Sequence, residues 1–547
     1  MIRQPQFKQR GQKQSAQVTV FPAPIKGIDT RQAMSHMDLD ICIYTFNFIP
    51  SSYGATLRKG YRVYADKIVA GGKKDDSKGV RSLMVFSRAI SGTRLDDKLF
   101  VATNQGIFDV TNPLQPPKLK LLFDITTEGA GYGVDLNYID EGGNDYMFFA
   151  DEANGLFRYD GATDTWERYR GINGIEAEDI VFITTHKQRL WVVQRDSSVA
   201  WYLPPAAISG AATPFYLGSL FKHGGDLKGL YNWTIDGGSG VDDQLVAVST
   251  TGDVLPYKGE DPSNSDTWSL VGSFYIGETP TGRRITNEFG GNLFILSSYG
   301  IIAMADLLKG VDPKDVSANS VSYKVSPLVS ERLKLNATSY GWELLFAPSE
   351  GKFIINSPPL EGYDQIQFVM DMITEGWGMW RGLPMNCLKE WNGRIYFGSG
   401  ETLYVMDGTR DGVAKIQFTE EDRGLPIEFS LMTSFQKLGS DGTYKMVQLI
   451  RPDFLTTTPP DYAIKAIYDY NMEEVSMSYP ERAKKGARWN IARWDDAVWG
   501  TRANSGLSRL HGTSGIGRSA AIALKGSSGE ALRLISFDLM WKTGGAI

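Results

Sequence analysis

Between residues 98 and 408, apolar and polar positions alternate in short runs, and the runs come in pairs. The pairs read KLFVATNQGIFDV (98–110), DYMFFADEANGLFRYD (145–160), QRLWVVQRDSSVAWYLP (188–204), DQLVAVSTTGDVLPYKG (243–259), GNLFILSSYGIIAMA (291–305), GKFIINSP with IQFVMDM (351–372) and GRIYFGSGETLYVMD (393–407). Alternation with period two turns one side of each run inward, and a polar Gly- or Asp-bearing turn between two such runs is a hairpin signal. Starts fall roughly 40–60 residues apart, the interval of four-stranded sheets repeated around a propeller. Three phrases add to the rhythm: YDGATDTWERYRG from Tyr159, YKGEDPSNSDTWSLVG from Tyr257 and MDMITEGWGMWRG from Met370. Each ends a strand, turns, and restarts on a Trp placed to pack between neighbouring sheets. The pattern predicts an all-β chain with a six- or seven-bladed propeller over residues 70–414. A tandem of β-sandwiches fits the late-placed Trp less well.

The flanks differ. Residues 1–17 carry six Gln and the cations Arg3, Lys8, Arg10 and Lys13, with no acid before Asp29. Too little of that stretch is apolar for it to order itself, so it reads as a flexible basic arm. Residues 18–69 hold a strand at VTVFP, a brief helical stretch at DTRQAMSHMD with Asp29 as N-cap, a strand at ICIYTFNFIP and a turn at SSYG. AGGKKDDSKG (70–79) is a charged loop. Beyond residue 415 the strands lengthen, in LPIEFSLMTSFQKLG, YKMVQLIRPDFL, DYAIKAIYDYN and SAAIALKGSSGEALRLISFDLMW. The two flanks, 18–69 and 415–547, are expected to combine into one β-rich platform domain.

Composition supports strands and turns: 59 Gly and 64 aromatic residues stand against 4 His in 547 residues. The net charge of −6 is mild and predicts no tight nucleic-acid binding by the molecule as a whole. Cys42 and Cys387, the two cysteines, are too few for a disulfide framework or a thiolate metal site. No apolar run approaches the ~18 residues of a membrane span, and the basic N-terminus lacks the apolar stretch of a secretory signal, so a protein made in a cytoplasm is expected.

Candidate chemistry is sparse. The densest carboxylate groups are Glu176, Glu178 and Asp179 in GIEAEDI, and Asp236, Asp242 and Asp243 in TIDGGSGVDDQ. Glycoside hydrolysis needs two carboxyls flanking one bond, which nearness in sequence does not supply. DGGSGVDDQ offers oxygen ligands for calcium, but its spacing matches no EF-hand loop, and turn geometry explains it. DGATDTWERY is a turn of the Asp-box or kelch kind, which describes a fold and not a reaction. His36, His186, His223 and His511 are scattered, with no HExxH, and GTSGIG from Gly512 lacks the Lys of a phosphate loop. Trp489, Trp494 and Trp499 in RWNIARWDDAVWG stand five apart, which suits an aromatic-anchored loop serving domain packing or a partner. No catalytic, cofactor-binding or metal-ligating residue is expected.

Several phrases, in order along most of the chain, resemble the tail nozzle or hub proteins of short-tailed bacteriophages, the group that includes packaged-DNA stabilisation proteins. They are VFPAPIKGIDTRQ and NFIPSSYGATLRKGY; RLWVV with VAWYLPPAAISGAATPFYLGSLFKHGG; NWTIDGGSGVDDQLVAVSTTGDVLPYKGEDPSNSDTWSLVG; QFVMDMITEGWGMW; and WDDAVWG. The resemblance implies a structural virion protein that forms a hexameric ring below the portal and adaptor, with fibres or a tail needle as neighbours. It also implies double-stranded DNA passing through the lumen unread, and it supplies no catalytic residues or cofactors. A conduit should not grip the passing duplex, since each neutralised phosphate adds affinity, so an Asp- and Glu-lined lumen is expected, as is a chain that stays monomeric until it meets its adaptor. The competing expectation is a propeller that binds or cleaves host polysaccharide, marked by two facing carboxylates and exposed aromatic platforms.

Overall fold

The computed structural model describes residues 16–70, 79–87, 89–90, 94–95, 97–236, 241–309, 320–415, 421–439, 441–472, 505–507 and 509–543. The chain is all-β, built from many small sheets, with two α-helices, Met304–Leu307 and Ser326–Asn336, among the described residues. Among the described residues no helix is long and apolar enough to cross a membrane. Two compact units divide it: a terminal unit of Met1–Arg58, Ile373–Gly378 and Pro426–Ile547, and a central unit of Lys59–Met372 and Met379–Leu425.

In the terminal unit the first and last strands among the described residues are hydrogen-bonded neighbours: Gln17–Pro22 runs antiparallel to Leu532–Thr543, with Gln17 opposite Trp541 and Phe21 opposite Phe537. Their sheet continues through Phe48–Ser51 and Gly54–Leu57 on one side and Lys445–Thr456 on the other. The second sheet contains Gly27–Ile28, Ile41–Phe46, Leu425–Thr433, Ala520–Ser528 and Asp461–Tyr468. Alternation along these strands turns one row from each sheet into a shared core that includes Phe21, Phe48, Phe429, Phe454, Ile522, Leu534 and Phe537. Gly27 is required where it sits: its φ is +71°, and a Cβ there would stand 2.2 Å from the Trp377 carbonyl oxygen.

Two local expectations fail here. DTRQAMSHMD forms turns and bends instead of a helix, because Asp29 accepts from the Arg31 N–H and the Gln32 side chain, both at 3.0 Å, and so closes a local turn. ICIYTFNFIP is two strands, Ile41–Phe46 and Phe48–Ser51, broken at Asn47. Asn47 has a φ of 67°, and its side chain donates to the Glu428 carbonyl and accepts from Arg58.

The central unit holds seven successive antiparallel sets of three or more strands among the described residues; six of the seven predicted hairpins are inner strands of such a set, and the fifth, Asn292–Ser297 with Gly300–Ala303, forms the second and third strands of a three-stranded sheet. Their first strands are Val80–Phe86, Gly133–Ile139, Ile180–His186, Leu227–Asp236, Thr286–Phe289, Glu343–Ala347 and Cys387–Trp391. The first strand of each sheet touches the following sheet, and that of the seventh touches that of the first, so the succession closes on itself. The seventh sheet takes its outermost strand from the start of the unit: Gly60–Ala65 pairs with Thr402–Gly408, placing Val63 opposite Tyr404. For this reason the unit begins at residue 59 and ends at 425, where the sequence pattern placed the changes at 70 and 414.

Trp166 and Trp268, from the first two of the three Trp phrases, pack on the preceding sheet. Trp166 of the second sheet meets Phe100 of the first edge-on at 5.3 Å, and Trp268 beside the fourth sheet stacks on Trp191 of the third at 6.0 Å. Trp377, from the third phrase, belongs to the terminal unit, where it pairs with Gly27. The expected 1–17 arm (through residue 15), the loop at 71–78 and the Trp489, Trp494 and Trp499 stretch lie outside the described residues.

Candidate functional site

The sequence-predicted carboxylates do not converge. Asp179 and Glu178 lie in a short 3-10 turn just before the first strand of the third sheet, where Glu178 receives Arg170 at 2.5 Å and Arg168 at 3.7 Å; Glu176 precedes the turn. Asp236 closes the first strand of the fourth sheet, with Asp242 and Asp243 on the returning strand, where Asp243 pairs with Lys187 at 3.4 Å. One group thus precedes a first strand and the other follows one, at opposite ends of strands that extend roughly 3.3 Å per residue. Residues 237–240 of the DGGSG turn lie outside the described residues.

The histidines are equally dispersed. His36 meets Ser35, and His511 Nε2 lies 2.7 Å from the Tyr462 hydroxyl, both in the terminal unit. In the central unit His186 Nδ1 lies 2.6 Å from Asn232 Oδ1, and His223 Nδ1 lies 2.7 Å from the buried Asp253. Cys42 and Cys387 are fully buried thiols in different units, and burial raises the pKa of both, Cys387 to about 12. No group of His, Cys, Asp and Glu fit to hold a metal occurs among the described residues.

The concentration of buried charge is instead one the sequence pattern did not single out, carried on or beside the first strands of the central unit. Arg284, just before the fifth sheet, donates to the Arg81 carbonyl at 3.0 Å and reaches Ser82 Oγ at 3.4 Å in the first sheet. It also faces Glu343 of the sixth sheet at 3.6 Å. Lys389 of the seventh sheet pairs with Asp135 of the second at 3.0 Å, spanning the intervening first sheet. Arg283 pairs with Glu152 at 3.2 Å and donates to the Leu227 carbonyl. Arg195 donates to the carbonyls of Glu152, Ala153 and Glu178. Arg81, 4% exposed, donates to the carbonyls of Ala130 and Thr127; Arg81 and Arg284 lie 5.3 and 5.7 Å from the centre of the Tyr132 ring, which stacks on Tyr340 at 5.1 Å.

Burial dominates the electrostatics of this cluster. It raises the Glu343 carboxyl, against the pull of Arg284, and lowers the Arg81 guanidinium. Burial, with Arg283 adding to it, lowers Lys228 to about 7. An amine neutral near pH 7 is what a nucleophilic Lys requires, yet Lys228 is 7% exposed and its Nζ donates to the Pro280 carbonyl at 2.6 Å. The carboxylates of Asp135, Glu152 and Glu343 each face a cation, and Arg283 and Arg284 are further held by backbone carbonyls. Two facing carboxyls, one free to give a proton and one free to attack, are the arrangement glycoside cleavage needs, and these three do not form it. Chemically the cluster ties strands far apart in sequence to one another.

No protein-family model matches the chain, and no curated protein matches it. Among solved structures, the chain is similar to the extracellular domain of the hybrid two-component system BT3049 from B. thetaiotaomicron, with a TM-score of 0.39 and 12% identity over 74% of this chain and 51% of that one. It is also similar to BBS1N in complex with ARL6DN, with a TM-score of 0.26 and 13% identity over 41% of this chain and 63% of that one. The chain therefore spans about half the length of the first and under two thirds of the second, and likeness at this level assigns neither fold nor function.

Proposed function

We propose that the chain is a subunit of the tail nozzle or hub of a short-tailed bacteriophage, a structural virion protein whose ring retains the packaged genome and conducts it during ejection. In this reading the central unit is a seven-bladed β-propeller and the terminal unit is the platform. Six copies form the ring, the adaptor lies above it, fibres or a needle attach to it, and double-stranded DNA passes without being read. The observation that carries the reading is the ordered series of nozzle-like phrases from VFPAPIKGIDTRQ to WDDAVWG, spread over both units.

The architecture supports it in three ways. Seven sheets follow one another in a closed succession, and a strand from the start of the unit completes the seventh, a device that closes propellers and protects their edges. The two ends of the chain are joined in one separate unit, as a platform carrying an inserted propeller requires. The buried charges of the central unit are paired across sheets, so they hold the body together and leave no facing pair of free carboxyls among them.

The test is to prepare phage particles lacking this chain and to measure DNA retention. Filled heads that leak their genome without the chain, and retain it when the purified protein is added before release, are the expected result, with the added protein seen below the portal by electron microscopy. Particles that keep their DNA without the chain would overturn the reading, as would release of reducing ends from host polysaccharide by the purified chain.

A further inference from the structure

Between the third and fourth sheets of the central unit lies a buried ring nitrogen with no hydrogen-bond partner among the described residues. His186, at the end of Ile180–His186, is 2% exposed, and its Nδ1 faces Asn232 Oδ1 on the first strand of the fourth sheet. An amide oxygen only accepts, so Nδ1 carries the proton and Nε2 presents a lone pair. Among the described residues that buried Nε2 has no hydrogen-bond partner, and neither have the buried indole nitrogens of Trp191 and Trp268. The His186 ring meets Trp268 at 5.8 Å, and Trp268 in turn lies between Trp191 and Tyr257. Indole N–H groups only donate, so neither Trp can accept a proton from Nε2. We infer that His186 is an acid-sensing switch that holds the seam between these two sheets shut while it is neutral and opens it when it gains a proton.

The charges around it sharpen the response. From its own hairpin come Lys187 and Arg189, and across the seam stand Asp243 and Asp261, paired with them at 3.4 Å and 3.3 Å. Burial lowers the His186 pKa first; Asn232 and Asp243 oppose this and Lys187 adds to it. A histidine whose folded-state pKa is depressed contributes stability that is intact above its unfolded value of about 6.5 and is lost as pH falls below it. At lower pH protonation of Asp261, whose carboxyl is held below its ordinary value by Ser263, would release its pair with Arg189 as well. Each pH unit below about 6.5 therefore favours opening by up to about tenfold, until the buried ring itself titrates. The inference is independent of the proposed function.

Two measurements on the full chain test it. With imidazole-labelled histidine the protein gives four ring signals, and loss of one in His186→Phe identifies His186. The expected result is a ring that titrates below the ordinary range or not at all before the seam opens; an ordinary or raised midpoint overturns the switch. Hydrogen exchange compared between about pH 7.5 and about pH 5.0, corrected for intrinsic rates, should show protection of 180–194 and 227–249 falling more than that of the first and second sheets, and His186→Phe should abolish the difference. Equal pH response in wild type and variant would overturn it, and should the variant not fold, the wild-type ring titration decides.

Discussion

Asp164 shows how one side chain can join two sheets. It sits in the left-handed region at φ 55° within the YDGATDTW turn, and its carboxylate takes Lys98 at 2.5 Å and Lys120 at 2.6 Å from the preceding sheet, with the Tyr159 hydroxyl at 2.8 Å. Burial opposes its charge, but Lys120, Lys98 and Tyr159 outweigh burial and hold the carboxyl well below the usual carboxylate range. A depressed carboxyl stabilises the fold above its unfolded value of about 3.9 and loses that contribution as pH falls through its folded value. Asp164→Asn keeps a residue that tolerates positive φ and removes only the charge. Thermal melts should show a lower Tm for the variant near pH 7 and a gap to wild type that narrows in strong acid and in molar salt, since the side chain is 44% exposed. Arg284 is the deeper case. Arg284→Met leaves the buried Glu343 carboxylate without its cation and should cost about 3–5 kcal/mol, while adding Glu343→Gln should recover a substantial part, read as the coupling energy of a double-mutant cycle. The Trp phrases were legible because a large ring after a polar turn is unusual wherever it falls. Arg81 and Glu343 were not, because each is a lone charge in its own strand, and neither was Arg284, just ahead of one, because only the closing of the sheets brings the three together; the Arg283–Arg284 doublet was the one local sign.

At the scale of elements, period-two alternation and turn chemistry located one hairpin in each of the seven sheets, since a hairpin is a local object with its turn printed between its strands. What local pattern could not show is partnership at long range. GYRVYA reads equally well as the end of an N-terminal module, and only its pairing with Thr402–Gly408, some 340 residues away, makes it part of the central unit. Asp29 misled for the opposite reason: an Asp before a helix-like run and an Asp closing its own turn are the same letters, and here its two local acceptor bonds decide for the turn. The strand Gly60–Ala65 can be tested by itself. Val63 donates its N–H to the Val413 carbonyl at 2.9 Å, so Val63→Pro removes the bond that ties the strand's other edge to residue 413 and should cost about 1–3 kcal/mol. Limited proteolysis should then cut first within 59–70 or 402–415, freeing the closing strand while the other six sheets resist. A cleavage pattern unchanged from wild type would show that the strand does not hold the succession closed.

At the scale of the molecule, the net charge of −6 conceals an opposite partition. The terminal unit carries 22 Lys and Arg against 16 Asp and Glu, whereas the central unit carries 35 against 47. Four of the terminal unit's cations are Arg3, Lys8, Arg10 and Lys13. The acidity from which an Asp- and Glu-lined lumen was expected therefore resides in the central unit, and the unit proposed as platform is basic by six charges. Screening makes this partition matter more than the sum, because at physiological salt a charge is felt over only about 8 Å, so a duplex meets the charge of the surface it touches. A conduit must still let DNA go. The two requirements agree if contact with phosphate is electrostatic, unread and weak at working ionic strength, with no ordered set of donors aimed at base edges. The full chain should then shift linear duplex DNA at about 20 mM salt regardless of sequence, and release it by about 150 mM along a linear log–log dependence whose slope counts the phosphates neutralised. Retention of duplex beyond about 300 mM salt, or preference for one sequence, would identify a gripping or reading surface and exclude a conduit for a moving genome.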